Sequence, residues 1–83
     1  MERLTELQTK LDRAEAEVQR GVGHLVRERA LMADKVVGAQ DVTIFCDLLA
    51  MLEDAQFLHV QRRDRIRREM DGAVARKERR SSL

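Results

Sequence analysis

Two histidines and one cysteine are the side chains of this 83-residue chain best suited to metal binding or nucleophilic chemistry. Neither His24 nor His59 has a His or Cys three or four residues away, the spacing that places two ligands on one face of a helix. If the chain folds back on itself near residues 38–40, His24 lies beside residues 54–55, and Asp54 becomes a third candidate ligand. Because these candidate ligands have no regular spacing, we expect surface or partly buried histidines rather than a metal site.

Cys46 follows Ile44 and Phe45 and has no neighbouring base, so we expect a packing residue rather than a nucleophile. A single cysteine also excludes a disulfide within the chain. Gly21 and Gly23 have no strand before them and do not form a phosphate-binding loop. We therefore expect a protein that catalyses no reaction and holds no metal or other cofactor.

A run of arginines within residues 62–68 has the charge needed to neutralise the phosphates of a nucleic acid. The candidate contacts are Arg62, Arg63, Arg67 and Arg68. No aromatic residue is interleaved for base stacking, and acidic residues dilute the charge. Residues 1–60 hold seven Lys/Arg against eleven Asp/Glu, so the same arginines can instead pair with carboxylates of the first helix. We favour this pairing, with RNA or DNA binding as the alternative.

The composition indicates an all-α protein. Ala, Leu, Glu, Arg and Gln, which favour helix, are abundant, proline is absent and four residues are glycine. Hydrophobic residues make up 43% of the chain, too many for a disordered tail. A chain of this length forms one small domain with a marginal core, for which association with a partner is a common remedy.

The spacing of apolar residues predicts an antiparallel helical hairpin. Helix 1 is expected over about residues 2–36, the turn over 37–41 and helix 2 over about 41–77, followed by a frayed basic C-terminus. Gly38 suits the position just after a helix end, and Asp41 suits the N-cap of helix 2.

A heptad seam runs along the first half of helix 1. Its positions are Leu4, Leu7, Leu11, Ala14 and Val18. The next apolar positions are Val22, Leu25, Met32 and Val36, with Arg29 among them. This spacing requires a stutter after Val18, and Gly21 and Gly23 flank it. We expect a kink, a break or a close approach of another backbone at this point.

Residues 42–60 carry more apolar surface than one neighbouring helix covers. As a helix they present an apolar arc of roughly 200°, against the ~100° stripe of a helix packed on one neighbour. We predict that the excess binds another protein or a second copy of the chain. The predicted interface comprises Ile44, Phe45, Leu48, Leu49, Leu52 and Phe57. Phe57 lies off the main arc and would extend the interface beside Cys46 and Ala50.

Several residue pairs within residues 1–60 follow the pattern of a known family. They are Leu4-Thr5, with Leu7 and Leu11 behind them, Gln40-Asp41 at the expected turn, and Leu52-Glu53 followed by Ala55-Gln56. In these respects the chain resembles the YscE/SsaE-like small co-chaperones of type III secretion needle subunits, which are short helical hairpins. The residues beyond 60 depart from the family pattern.

The resemblance implies a binding role without catalysis, in which the hairpin docks on a helical-repeat chaperone and the pair keeps a needle subunit soluble in the cytoplasm. The residues alone also allow a homodimeric four-helix bundle, purely structural or binding RNA or DNA through its arginines. Both need the same apolar arc, so the sequence does not separate them. No apolar run reaches the ~18–20 residues of a membrane span and no signal-peptide pattern opens the chain, so we expect a cytoplasmic protein.

Overall fold

The protein is an all-α antiparallel hairpin of two long helices that pack side by side. α1 spans Glu2–Lys35 and α2 spans Ala39–Ser81, and together they form a rod of 68 × 15 × 14 Å. The structure is a computed structural model that describes residues 2–35 and 39–82, with side chains for residues 2–34 and 42–82. It confirms the predicted fold class.

α2 begins earlier than the sequence predicted. Its first helical residue is Ala39 rather than Asp41, because Ala39 and Gln40 are good helix formers that extend the helix backwards. The backbone of Asp41 is therefore already helical, and the predicted N-cap at this residue is wrong. The predicted helix stop at Gly38 and the last predicted residue of helix 1, Val36, lie outside the described residues.

α2 also continues beyond its predicted end near Lys77 and stops at Ser81. The segment between them is rich in helix-forming residues, and Arg79 and Arg80 place positive charge in the last turn, where the helix dipole favours it. The Ser81 hydroxyl donates a hydrogen bond to the Lys77 carbonyl oxygen at 3.1 Å. The basic C-terminal segment is thus helical through residue 81.

The buried core lies in the open half of the hairpin, away from the turn. Its members are Leu7, Leu11, Ala14 and Val18 of α1 and Ile66 and Ala73 of α2. Met70 packs against the cluster of Leu11, Ala14 and Ile66. No side chain described between residues 22 and 60 is buried to the same degree. In the half of the hairpin nearer the turn, the two helices therefore pack through half-buried side chains.

The heptad seam of α1 continues past Val18 without a stutter. Its next positions are Gly21, Leu25, Glu28 and Met32, all half-buried. Val22 is 45% exposed instead, and α1 remains one helix through both glycines. The predicted stutter is wrong because two seam positions are occupied by Gly21 and Glu28, which a search for apolar residues does not detect.

Gly21 leaves room for the side chain of Gln56. The Gln56 Nε2 donates a hydrogen bond to the Val18 carbonyl oxygen at 2.9 Å, and a Cβ at position 21 would lie 2.6 Å from Gln56 Cδ. The close approach expected at this glycine is thus made by a side chain rather than by a backbone. A polar group bonded across the seam favours one register of the two helices.

Replacing Gly21 by alanine should leave the free energy of unfolding almost unchanged in the wild-type background. The gain in helix propensity, about 1 kcal/mol, is offset by loss of the Gln56 hydrogen bond, which contributes about 1 kcal/mol. In a Gln56→Ala background the same substitution should stabilise by about 1 kcal/mol. Urea unfolding of the four proteins measures both values, and equal effects in the two backgrounds would contradict this account.

Leu7→Ala should lower the free energy of unfolding by about 2–4 kcal/mol, since Leu7 is only 1% exposed. The matched control is Leu58→Ala, which removes the same atoms from an exposed site and should change stability by less than about 1 kcal/mol. Denaturant unfolding compares the two variants. If Leu58→Ala were as destabilising as Leu7→Ala, the core would not be confined to the open half.

Candidate protein-binding surfaces

Ion pairs across the seam show that the two helices keep one register. Arg67 pairs with Glu15 at 2.8 Å, and Arg29 pairs with Glu53 at 3.3 Å. The second pair lies two heptads from the first along both helices, so heptad positions on α1 and α2 stay matched over this length. Other residues can therefore be placed on a face by counting heptads from these pairs.

α2 carries a second heptad stripe beside the one that faces α1. We call these residues the α2 stripe: Ile44, Leu48, Met51, Ala55 and Leu58. They are spaced by four and three residues over about 21 Å of helix, at 1.5 Å per residue. Met51 is 69% exposed and Leu58 is 62% exposed. Two adjacent stripes are typical of a helix that packs on two neighbours, and α1 covers only one of them.

Leu31 of α1 lies on the same face as the α2 stripe. On this edge of the seam Arg62 of α2 pairs with Glu17 of α1 at 3.5 Å. Two heptads nearer the turn, Leu48 takes the position of Arg62 and Leu31 takes the position of Glu17. Both of these leucines are exposed. The remaining α1 side chains near the stripe are polar: Arg20, His24 and Arg27. The apolar surface of this face therefore belongs mainly to α2.

The six residues predicted as one interface occupy three different places. The members of the α2 stripe among them are Ile44 and Leu48. The half-buried residues at heptad positions facing α1 are Phe45, Leu49 and Leu52. Phe57 is exposed on the opposite face. The predicted interface omitted Met51 and Leu58, the most exposed members of the stripe, although both belong to the predicted apolar arc of residues 42–60.

A smaller apolar patch lies on that opposite face. We call its residues the opposite patch: Val22, Val26, Phe57 and Val60. Val22 and Val60 lie one heptad from the Glu15–Arg67 pair and are neighbours across the seam. Phe57 is 62% exposed, and α2 also exposes Cys46 and Ala50 on this side, nearer the turn. The hairpin thus presents apolar surface on two faces of its turn half.

Both histidines line one concavity of about 250 Å³ between the helices. His24 Nδ1 lies 3.3 Å from Arg27 Nη2, and His59 Nδ1 lies 3.4 Å from Gln56 Oε1. Asp54, the third candidate ligand, is not among the lining residues. Within residues 2–34 and 42–82, no group of three or more His, Cys, Asp or Glu side chains is placed to hold a metal ion.

Three of the four arginines considered as nucleic-acid contacts form ion pairs with carboxylates. The pairs are Arg62–Glu17, Arg67–Glu15 and Arg63–Asp64. Arg68 lines a shallow concavity together with Gln61, Asp64 and Arg65. Exposed ion pairs contribute only about 0–1 kcal/mol each to stability, but they compensate the charge that would attract phosphates. The structure therefore supports the pairing interpretation of this segment.

A further basic cluster lies at the open end of the hairpin. It surrounds a concavity of about 400 Å³ lined by Arg3, Leu4, Ala73, Arg76, Lys77, Arg80 and Ser81. Arg3 also pairs with Glu69 at 3.3 Å. Sequence reasoning missed this cluster because it treated the C-terminal residues as frayed. The run of charged residues 76–80 would have indicated the cluster if it had been interpreted as part of helix 2.

Comparison with known proteins does not assign a function to this chain. No helix in the described part of the chain is long and apolar enough to cross a bilayer. Comparison with protein-family models, with curated proteins and with solved structures found no match. Its function must therefore be inferred from the surfaces described above.

The wild-type chain should bind mixed-sequence RNA or DNA only weakly at low salt. Glu15→Gln/Glu17→Gln should bind several-fold more tightly, because it releases Arg62 and Arg67 from their carboxylates. Fluorescence anisotropy at two salt concentrations measures both proteins. Glu6→Gln/Asp34→Asn makes the same change in net charge elsewhere on α1 and is the matched control.

The opposite outcome would establish the nucleic-acid alternative. Tight binding by the wild type that falls steeply with salt, and that disappears when the four arginines at 62, 63, 67 and 68 are replaced, would show that their ion pairs do not prevent phosphate contacts.

Proposed function

We propose that this chain is a protein-binding co-chaperone or adaptor that docks through the α2 stripe on a helical-repeat chaperone and helps to keep a type III secretion needle subunit soluble. The exposed α2 stripe carries the binding role, because a helix with two heptad stripes packs on two neighbours and the hairpin supplies one. The class of chaperone and client comes from the family resemblance. In this role the chain acts in the cytoplasm, uses no cofactor and catalyses no reaction.

The exposed side chains of the stripe are large enough to sustain an interface. Burying an apolar side chain such as Ile44, Met51 or Leu58 contributes about 1.5–3 kcal/mol. Several such side chains together are needed to offset the loss of translational and side-chain freedom on association. A helical-repeat protein suits the stripe because its stacked helices form an extended concave surface.

The opposite patch supports an adaptor role rather than a single contact. Phe57 and its neighbours lie on the other face of the same half of the hairpin. A chain placed between a chaperone and a client needs two such surfaces, whereas a chain that binds one partner needs only one. We assign the larger α2 stripe to the chaperone and the opposite patch to the second contact.

Met51→Asp should abolish the complex without unfolding the hairpin. Met51 is exposed, so its charge costs little in the free chain, but the same charge would be buried without a partner in the complex. Native mass spectrometry of complexes purified from the protein's own cells measures the loss, and circular dichroism verifies the fold. Ala16→Asp, at an exposed position of α1 in the open half of the hairpin, is the matched control.

A complex that survives Met51→Asp would place the interface elsewhere. A native mass equal to two copies of the chain, with no other protein present, would contradict the co-chaperone role and favour the homodimeric bundle.

A further inference from the structure

We infer that the α2 stripe binds a helix of a different protein, one that carries basic side chains beside Asp47 and Asp54, and that it does not bind a second copy of this chain. The inference rests on the proposed function and specifies the chemistry of the partner. It follows from the charges along the edges of the stripe.

The outer edge of the stripe is acidic. Asp47 and Asp54 are exposed and seven residues apart, so they share one heptad position. That position adjoins Ile44, Met51 and Leu58 on the side away from α1. A helix docked along the stripe must run past both carboxylates.

An antiparallel second copy would meet like charges along this edge. Full overlap of two antiparallel stripes places the two-fold axis near Met51. This axis brings Asp47 of each copy beside Asp54 of the other, once on each side of the axis. Two carboxylate pairs would then lie alongside a short apolar contact, and like charges across an interface oppose association.

A parallel second copy would meet like charges at the end of the stripe. In a parallel pair every residue lies opposite itself. The heptad positions of the stripe continue after Leu58 as Arg62 and Arg65. Each arginine would face its own copy, and Arg62 would be drawn away from Glu17, with which it pairs at 3.5 Å. Each way of pairing the stripe with itself therefore brings like charges together.

A helix of another protein has neither problem. Its apolar seam needs to match only about 21 Å of stripe, or roughly fifteen residues at 1.5 Å each. Lysine or arginine along one flank would lie beside Asp47 and Asp54. Arg20 and Arg27 lie on the α1 side of the same face, so the opposite flank of the partner helix should not be basic. The outer edge of the stripe is negatively charged and the α1 side is positively charged. This difference in charge also determines the direction in which the partner helix runs.

The test uses the full chain and a designed helical peptide with a leucine seam, lysines along one flank and glutamines along the other. The chain alone should sediment as a monomer at micromolar concentration. The peptide should bind it, and Asp47→Asn/Asp54→Asn should weaken that binding roughly fivefold, since two exposed ion pairs are lost. The control Asp71→Asn/Glu78→Gln makes the same charge change on α2 outside the stripe and should leave the affinity unchanged.

A neutral variant of the stripe separates the inference from the proposed function. Leu48→Gln/Met51→Gln should abolish peptide binding while circular dichroism remains that of the hairpin. If the chain sediments as a dimer that this variant dissociates, or if the peptide binds equally well to Asp47→Asn/Asp54→Asn, the inference is overturned and the stripe is still a docking surface. If the peptide does not bind, or binds the Leu48→Gln/Met51→Gln variant equally well, the proposed function fails together with the inference.

Discussion

The seam between α1 and α2 is the interaction on which the rest of this structure depends. One heptad register runs from Leu4 to Met32 on α1 and is matched on α2 by ion pairs two heptads apart. Because α1 has a single apolar stripe and α2 has two adjacent ones, forming the seam uses most of the apolar surface of α1 and only part of that of α2. The α2 stripe is thus exposed because α2 has more apolar surface than α1 can cover.

The buried core and the exposed α2 stripe lie in different halves of the rod. All buried side chains described lie at residues 7–18 and 66–73, in the open half. The turn half has only half-buried contacts, and segments with few buried apolar contacts open at a lower free-energy cost than the core does. A partner that covers the α2 stripe would add the burial that this half lacks and would stabilise the folded state by mass action.

Much of the fold followed from the sequence, because its strongest signals are local. The spacing of Leu4, Leu7 and Leu11 predicts an amphipathic helix, and the matched lengths of the two arms predict the hairpin. The continuation of the seam did not follow, since Gly21 and Glu28 are not apolar. Position 21 is part of the seam because Gln56 fills the space that a side chain would occupy, and that fact requires knowing which residue of α2 lies opposite.

The candidate surface was predicted less well for the same reason. A helical wheel shows a broad arc on α2 but does not say which part α1 covers. Once the seam has assigned Phe45, Leu49 and Leu52 to the hairpin, Ile44, Leu48, Met51 and Leu58 remain as a separate stripe. The role of the arginines also depended on register, since whether Arg62 and Arg67 face phosphates or carboxylates is decided by Glu17 and Glu15 across the seam. The register therefore identifies two features that composition does not: an exposed apolar stripe on α2 and an arginine segment whose charge is largely compensated within the chain. The charges beside that stripe then favour a partner helix unlike the chain itself.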